Sequence, residues 1–113
     1  MEFKRSELKY ELNAFNEYVS ETTMDYHYNK HHETYVKNLN HLISQPDHKN
    51  SYDTLNLKAI IEKADLNKHS AIFNNAAQHW NHELFWKCMT PSSTAPSPQL
   101  KTMIDQSFGD QKG

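Results

Sequence analysis

Residues 22–43 read TTMDYHYNKHHETYVKNLNHLI, and this stretch decides the fold. It contains neither glycine nor proline, and its apolar and aromatic side chains recur mostly at steps of three, four or seven residues. That spacing places them on one face of a helix. Ser20 and the two threonines after it are candidate N-caps, because their hydroxyls can accept from the first free backbone N–H groups. The stretch is therefore predicted to form one long amphipathic helix.

A second long helix is predicted at residues 70–89, which read SAIFNNAAQHWNHELFWKCM. Between the two helices, a proline and several Asp, Asn and Ser residues at 45–51 predict a turn. Apolar residues at 55–64 predict a short connecting helix, and no run alternates long enough to predict a strand. The fold class is therefore predicted to be all-α, with an antiparallel helical hairpin.

The clearest break in the sequence is residues 91–98, PSSTAPSP, which is typical of an interhelical linker. We accordingly predict three parts. Residues 1–90 form the helical-hairpin domain, with an irregular lead-in to about residue 20. Residues 91–98 are the linker, and residues 99–113, whose apolar side chains begin a third helix, are the truncated start of a C-terminal domain.

The composition of the chain favours a piece of a larger protein over a self-contained domain. Only 36% of its 113 residues are hydrophobic, and the mean hydropathy is −0.93. The net charge of −2 offers no electrostatic footprint for nucleic acid or an anionic membrane. No apolar run is long enough to span a bilayer or to serve as a signal peptide, and the single Cys88 fits a reducing compartment. We therefore expect a cytoplasmic protein, with an organelle as the alternative.

Eight histidines are more than a chain of this size normally carries. His27 and His31 are four residues apart, a spacing that suits either a shared metal or a polar helix face. His79 and His82 are three residues apart among aromatic residues, a setting more typical of packing than of ligation. The hairpin, however, can bring His27 and His82 face to face, and imidazole is a common ligand for transition metals. There is no HExxH arrangement, so a zinc protease is excluded.

Two of these stretches resemble a known family. Residues 27–40, HYNKHHETYVKNLN, and residues 73–82, FNNAAQHWNH, are similar to the N-terminal half of the iron/manganese superoxide dismutases. The resemblance covers nearly the whole chain. It implies that His27 and His82 are the first two metal ligands of an enzyme that converts superoxide to oxygen and hydrogen peroxide.

The resemblance also implies roles for the residues around those ligands. Tyr35 would be the gateway of the substrate funnel, and His31 would lie in the same funnel near a homodimer interface. Trp80 and Trp86 would form the aromatic wall of the metal pocket. Gln78, in an Ala-Ala-Gln context, resembles the iron type, in which this glutamine tunes metal-bound solvent. Iron is therefore expected rather than manganese.

The chain also departs from the family pattern. The second pair of ligands, in an Asp-x-Trp-x-x-His motif, has no match in the sequence. The isolated chain is therefore expected to be inactive until a C-terminal half completes the site. One alternative is a noncatalytic fragment that serves as a structural or interaction module. Another is a histidine-rich metal carrier, which would also employ His41, His48 and His69, although the scattered positions of these three favour ordinary surface histidines.

Overall fold

The computed structural model describes residues 2–92 and 94–109, and within this part every regular element is a helix. In chain order these are α1 (Glu21–Asp25), a π-helical segment (Tyr26–His32), α2 (Glu33–Ile43), α3 (Pro46–Tyr52), α4 (Leu57–Leu66), α5 (Ser70–Cys88) and α6 (Pro98–Phe108). The predicted all-α class is confirmed, and no described helix is long and apolar enough to cross a membrane.

The first long helix runs through α1, the π segment and α2 without a break. The Ser20 hydroxyl caps it by accepting from the Thr23 N–H at 3.1 Å, as the sequence predicts. What the sequence does not predict is the π winding over Tyr26–His32. A π turn holds more residues than an α turn, so it changes which side chains face the neighbouring helix. Within this segment His31 is exposed and His32 is fully buried.

The connection between the long helices contains one more helix than predicted. The turn expected at residues 45–51 is wrong, because α3 occupies Pro46–Tyr52. Pro46 stands in the first turn of α3, where a missing N–H leaves no hydrogen bond unmade. The short connecting helix is confirmed as α4, whose N-cap Asn56 accepts from the Ala59 N–H at 2.9 Å.

The apolar core lies where α5 packs against α2 and α4. Its α2 members pair with the N-terminal half of α5, whereas the π segment pairs with the C-terminal half of α5. The two long helices are therefore antiparallel. The buried core consists of Leu39, Ile43, Tyr52, Ile60, Ala64, Ile72 and Ala76.

Residues 2–20 contain no helix or strand, as predicted, but they are tied to both long helices. Three of these ties are hydrogen bonds of 2.8–2.9 Å: the Phe3 N–H donates to Asn40 Oδ1, the Ser6 N–H donates to Glu83 Oε1, and the Tyr10 hydroxyl donates to the Trp86 carbonyl oxygen. At the other end of the chain, α6 has no buried residue, and it exposes Leu100, Met103 and Phe108.

Replacing a core residue of α4 should destabilise the chain far more than replacing an exposed one. Ile60 is 0% exposed and Leu66, on the same helix, is 83% exposed. We expect Ile60→Ala to lower the free energy of unfolding by about 2–5 kcal/mol, because it removes buried methyl groups and leaves a cavity. Leu66→Ala should change it by less than about 0.5 kcal/mol. Urea unfolding followed by circular dichroism measures both, and equal losses would contradict the assigned core.

Candidate metal centre

The π segment and α5 bring two histidines together. The ring centroids of His27 and His82 are 5.0 Å apart, and the rings are nearly perpendicular, at 88°. Trp86 and Phe85 lie against His27, with ring centroids 4.8 Å and 5.3 Å away. These two imidazoles, from different helices, thus share one partly buried space.

A backbone hydrogen bond fixes which nitrogen of His82 is free. Its Nδ1 lies 2.7 Å from the carbonyl oxygen of Gln78. A carbonyl oxygen can only accept, so Nδ1 carries the hydrogen. In the neutral imidazole Nε2 then holds an unshared electron pair, which is the state that a metal ligand requires. The donor chemistry of His82 therefore fits a transition metal.

An open cleft of about 450 Å³ borders the two imidazoles. His31 and Tyr35 line it, with their rings 6.4 Å from His27 and 5.5 Å from His82 respectively. The remaining lining residues are Thr22, Thr23 and Tyr26. Burial lowers the pKa of His27, and the neighbouring His82 and His31 lower it further. Loss of its proton is therefore favoured, which leaves an electron pair available on one ring nitrogen.

The other predicted residues of the site are divided between two sides of α5. Trp86 is buried and contacts both His27 and His82. Gln78 lies one turn before His82, and its side chain is half-buried. Trp80, however, is 45% exposed and lines a different cavity, with His79 and Glu83. Residues two positions apart on an α-helix are rotated by about 200° about its axis, so Trp80 and His82 face away from each other. The structure does not bring Trp80 to the cleft.

A second cluster, which the sequence interpretation missed, lies directly behind His82. His32 Nε2 is 2.8 Å from His79 Nδ1, and Glu83 Oε1 is 3.9 Å from each of these two nitrogens. One potential ligand atom from each of the three residues lies within 4.8 Å of the others, as in a metal site. The i,i+4 spacing of His79 and Glu83 was a usable signal. The position of His32, four residues before the buried Val36 and seven before the buried Leu39, was a further signal, because that spacing places it on the same helix face.

This second cluster strongly disfavours positive charge on its histidines. Burial, together with the nearby His79 and His82, lowers the pKa of His32 to about 4, although Glu83 opposes the change. Burial also lowers the pKa of His79. For Glu83, burial alone would raise the pKa, but the hydrogen bond from Ser6 and the two histidines bring it below its usual value. At neutral pH the cluster is a pair of neutral imidazoles beside a carboxylate.

Comparison with known proteins identifies the family of the chain. The family model described as iron/manganese superoxide dismutases, alpha-hairpin domain, matches residues 2–90. The chain belongs to that family. The match covers both histidine-bearing helices and the connection between them, and it ends near the start of the predicted linker.

Individual relatives agree with the family match. The chain is 43% identical over 110 residues to a protein named superoxide dismutase [Fe] from Coxiella burnetii, covering 96% of this chain and 53% of the relative. The same figures hold for a superoxide dismutase [Fe] from Legionella pneumophila. A superoxide dismutase [Mn/Fe] from Rickettsia conorii is 41% identical over 104 residues, which is 91% of this chain and 48% of that protein. The chain thus spans about half the length of the curated relatives it matches.

The buried neutral histidines should make the metal-free chain labile to acid. Below pH 6.5 the unfolded chain binds protons at its histidines, whereas folded His32 binds one only near pH 4. The free energy of unfolding should therefore fall between about pH 6.5 and pH 4, by up to about 1.4 kcal/mol per pH unit for this histidine. Urea unfolding at several pH values, with a chelator present, measures the slope.

A matched pair of variants assigns that slope. His32→Gln should be less stable at neutral pH, but its stability should depend less steeply on pH. His41, which is exposed, provides the control that removes an imidazole from the surface. An equal change of slope in His41→Gln would contradict the assignment to the buried histidine.

Proposed function

We propose that this chain is the N-terminal half of a superoxide dismutase, an oxidoreductase that converts superoxide to oxygen and hydrogen peroxide, and that His27 and His82 supply two of its metal ligands. The observation that carries the proposal is the bond between His82 Nδ1 and the Gln78 carbonyl. It leaves the Nε2 electron pair of His82 free beside the ring of His27. Membership of the family and the names of the relatives supply the reaction.

Iron is the proposed metal, because both 43%-identical relatives are named for iron. When bound, iron would supply the one-electron chemistry by alternating between Fe(III) and Fe(II). The chain itself contributes two neutral imidazoles, and neutral ligands leave the charge of the metal uncompensated. A positive charge at the base of the cleft would attract a small anion such as superoxide.

The residues that line the cleft have proposed roles in access and proton supply. The Tyr35 hydroxyl can donate a proton or accept a hydrogen bond, and Tyr35 and His31 both line the opening. Gln78 lies on the same face of α5 as His82, one turn earlier, so its amide would tune solvent at the metal. Trp86 packs against both imidazoles and restricts their movement. Trp80, proposed from the sequence as a second wall, faces another cavity.

The remaining ligands are proposed to come from a C-terminal half. In the part of the chain that the structure describes, the one cluster of three potential ligands contains neither His27 nor His82. We further propose that the complete enzyme is a homodimer in the cytoplasm, a setting that suits the free, exposed Cys88. The small number of ligands at the cleft also supports a second candidate, a noncatalytic module that keeps the hairpin as an interaction surface.

The activity of the chain alone separates these two candidates from a self-sufficient enzyme. Two imidazoles are too few to hold a redox metal, so the 113-residue chain supplied with iron should show negligible superoxide dismutation. Addition of the C-terminal half of the Coxiella burnetii relative should restore activity if the proposed function is right. Activity from the chain alone would refute the half-site proposal, and no activity in the mixture would favour the noncatalytic module.

Iron retention tests the ligand assignment in the reconstituted protein. His82→Ala should lower the iron affinity by more than the 10–100-fold typical of losing a residue behind a ligand. His41→Ala, which removes an exposed imidazole, should leave it unchanged. Tyr35→Phe should retain iron but lower the rate of turnover or shift its pH dependence. Iron bound per chain and turnover are measured on the same samples. Loss of iron from Tyr35→Phe, or retention by His82→Ala, would contradict the assigned roles.

A further inference from the structure

We propose that the His32–His79–Glu83 cluster is not a metal site, and that His32 is instead a positioning residue, locked in one tautomer, that sets the orientation of Trp86 and His82. The inference about His82 rests on the proposed function, in which that histidine is a ligand. The locked tautomer of His32 stands on geometry that does not depend on that function.

The direction of the hydrogen bonds through the cluster follows from Trp86. The Trp86 Nε1–H can only donate, and it lies 3.0 Å from His32 Nδ1. His32 Nδ1 therefore accepts, and the hydrogen of the neutral ring is on Nε2. That Nε2–H in turn donates to His79 Nδ1 at 2.8 Å. One indole N–H thus determines the tautomers of two successive histidines.

This direction opposes metal binding by the cluster. A metal at His32 Nε2 would need the electron pair of that nitrogen, so the hydrogen would have to move to Nδ1. There it would face the Trp86 N–H, and two donors would point at each other across 3.0 Å. His32 is 0% exposed and Trp86 is 6% exposed, so solvent cannot relieve the conflict. An unpaired buried donor costs about 1–3 kcal/mol. The three potential ligand atoms are close together, but the required tautomer is disfavoured.

The same imidazole contacts the surroundings of both candidate ligands. The His32 ring stacks on His82, with centroids 5.1 Å apart and an angle of 27°. Trp86, which His32 holds by its indole N–H, packs against His27 at 4.8 Å. Two of the contacts that orient His82 are therefore the Gln78 carbonyl at Nδ1 and the face of His32. Residues that orient a ligand in this way affect metal affinity without touching the metal.

The tautomers can be read directly by nuclear magnetic resonance on the full chain with ¹⁵N-labelled histidine. Zinc, a diamagnetic probe, is added after reconstitution with the C-terminal half of the Coxiella burnetii relative, because two imidazoles alone are too few to hold a metal. We expect His32 to carry hydrogen on Nε2 alone, and added zinc to shift the nitrogens of His27 and His82 while the tautomers of His32 and His79 persist. Hydrogen on His32 Nδ1, or zinc coordinated by His32 or His79, would overturn the inference. Zinc that leaves His27 and His82 unchanged would count against the proposed function instead, so the two failures are distinguishable.

Two variants test the cause of the locked tautomer. Trp86→Phe keeps an aromatic ring but removes the indole N–H, so His32 should then populate both tautomers and the cluster should begin to bind zinc. An unchanged His32 tautomer in this variant would refute the role of Trp86. Trp86→Tyr is a matched comparison, because it also lacks the indole N–H but carries a hydroxyl that can donate. If His32 has a single tautomer in Trp86→Tyr but two in Trp86→Phe, the hydroxyl has replaced the indole N–H as the donor that sets the tautomer.

Variants of His32 test its effect on His82. His32→Leu removes the hydrogen bonds and the stacking, and should weaken zinc binding at His27 and His82 by about 10–100-fold. His32→Asn keeps an acceptor toward Trp86, and should recover part of that loss. Equal zinc affinity in the wild type and His32→Leu would refute the positioning role. If His32→Leu does not fold, the Trp86→Phe result and the comparison of His32→Asn with the wild type still decide the question.

Discussion

The packing of α5 against the first long helix is the constraint on which the rest of the structure depends. Ile72 and Ala76 are buried with Leu39 and Ile43, and this contact sets the register of two antiparallel helices. Each turn toward the C-terminus of α5 is then matched by a turn toward the N-terminus of its partner. The register set by the apolar half of the interface thereby determines which residues meet in the polar half, where His82 contacts His27 and His79 contacts His32. The hydrophobic core and the histidine site are two ends of one interface.

Local periodicity predicted the helices well, because a run of apolar side chains at helical spacing has one way to bury them. The first long helix was expected at residues 22–43 and ends at Ile43, and the second was expected at 70–89 and is α5, Ser70–Cys88. The turn expected at residues 45–51 was wrong, since Pro46 and its polar neighbours suit the first turn of α3 as well as they suit a loop. Composition alone cannot separate a helix start from a turn.

The site was predictable to the extent that it depends on helix faces. His27, His82 and Tyr35 meet at one cleft, as their positions on two antiparallel helices suggest. The placement of Trp80 could have been questioned from its spacing to His82. The π winding leaves no signature in the hydrophobic pattern, but the burial of His32 could have been predicted, because His32 lies four and seven residues before the buried Val36 and Leu39. The locked tautomers depend in turn on that burial, and they follow from pairwise geometry rather than from residue type.

The irregular segment at residues 3–10 has a consequence for how the chain folds. Its bonds to Glu83 and to the Trp86 carbonyl join residues 77 and 76 positions apart, whereas the helices beside it form from local contacts. Closing so long a loop costs more conformational entropy than forming a helical turn, and the cost is recovered only when both helices are already in place. The segment precedes the hairpin in the order of synthesis but should dock after it. The segment therefore stabilises a pair of helices that has already assembled, and does not direct its assembly.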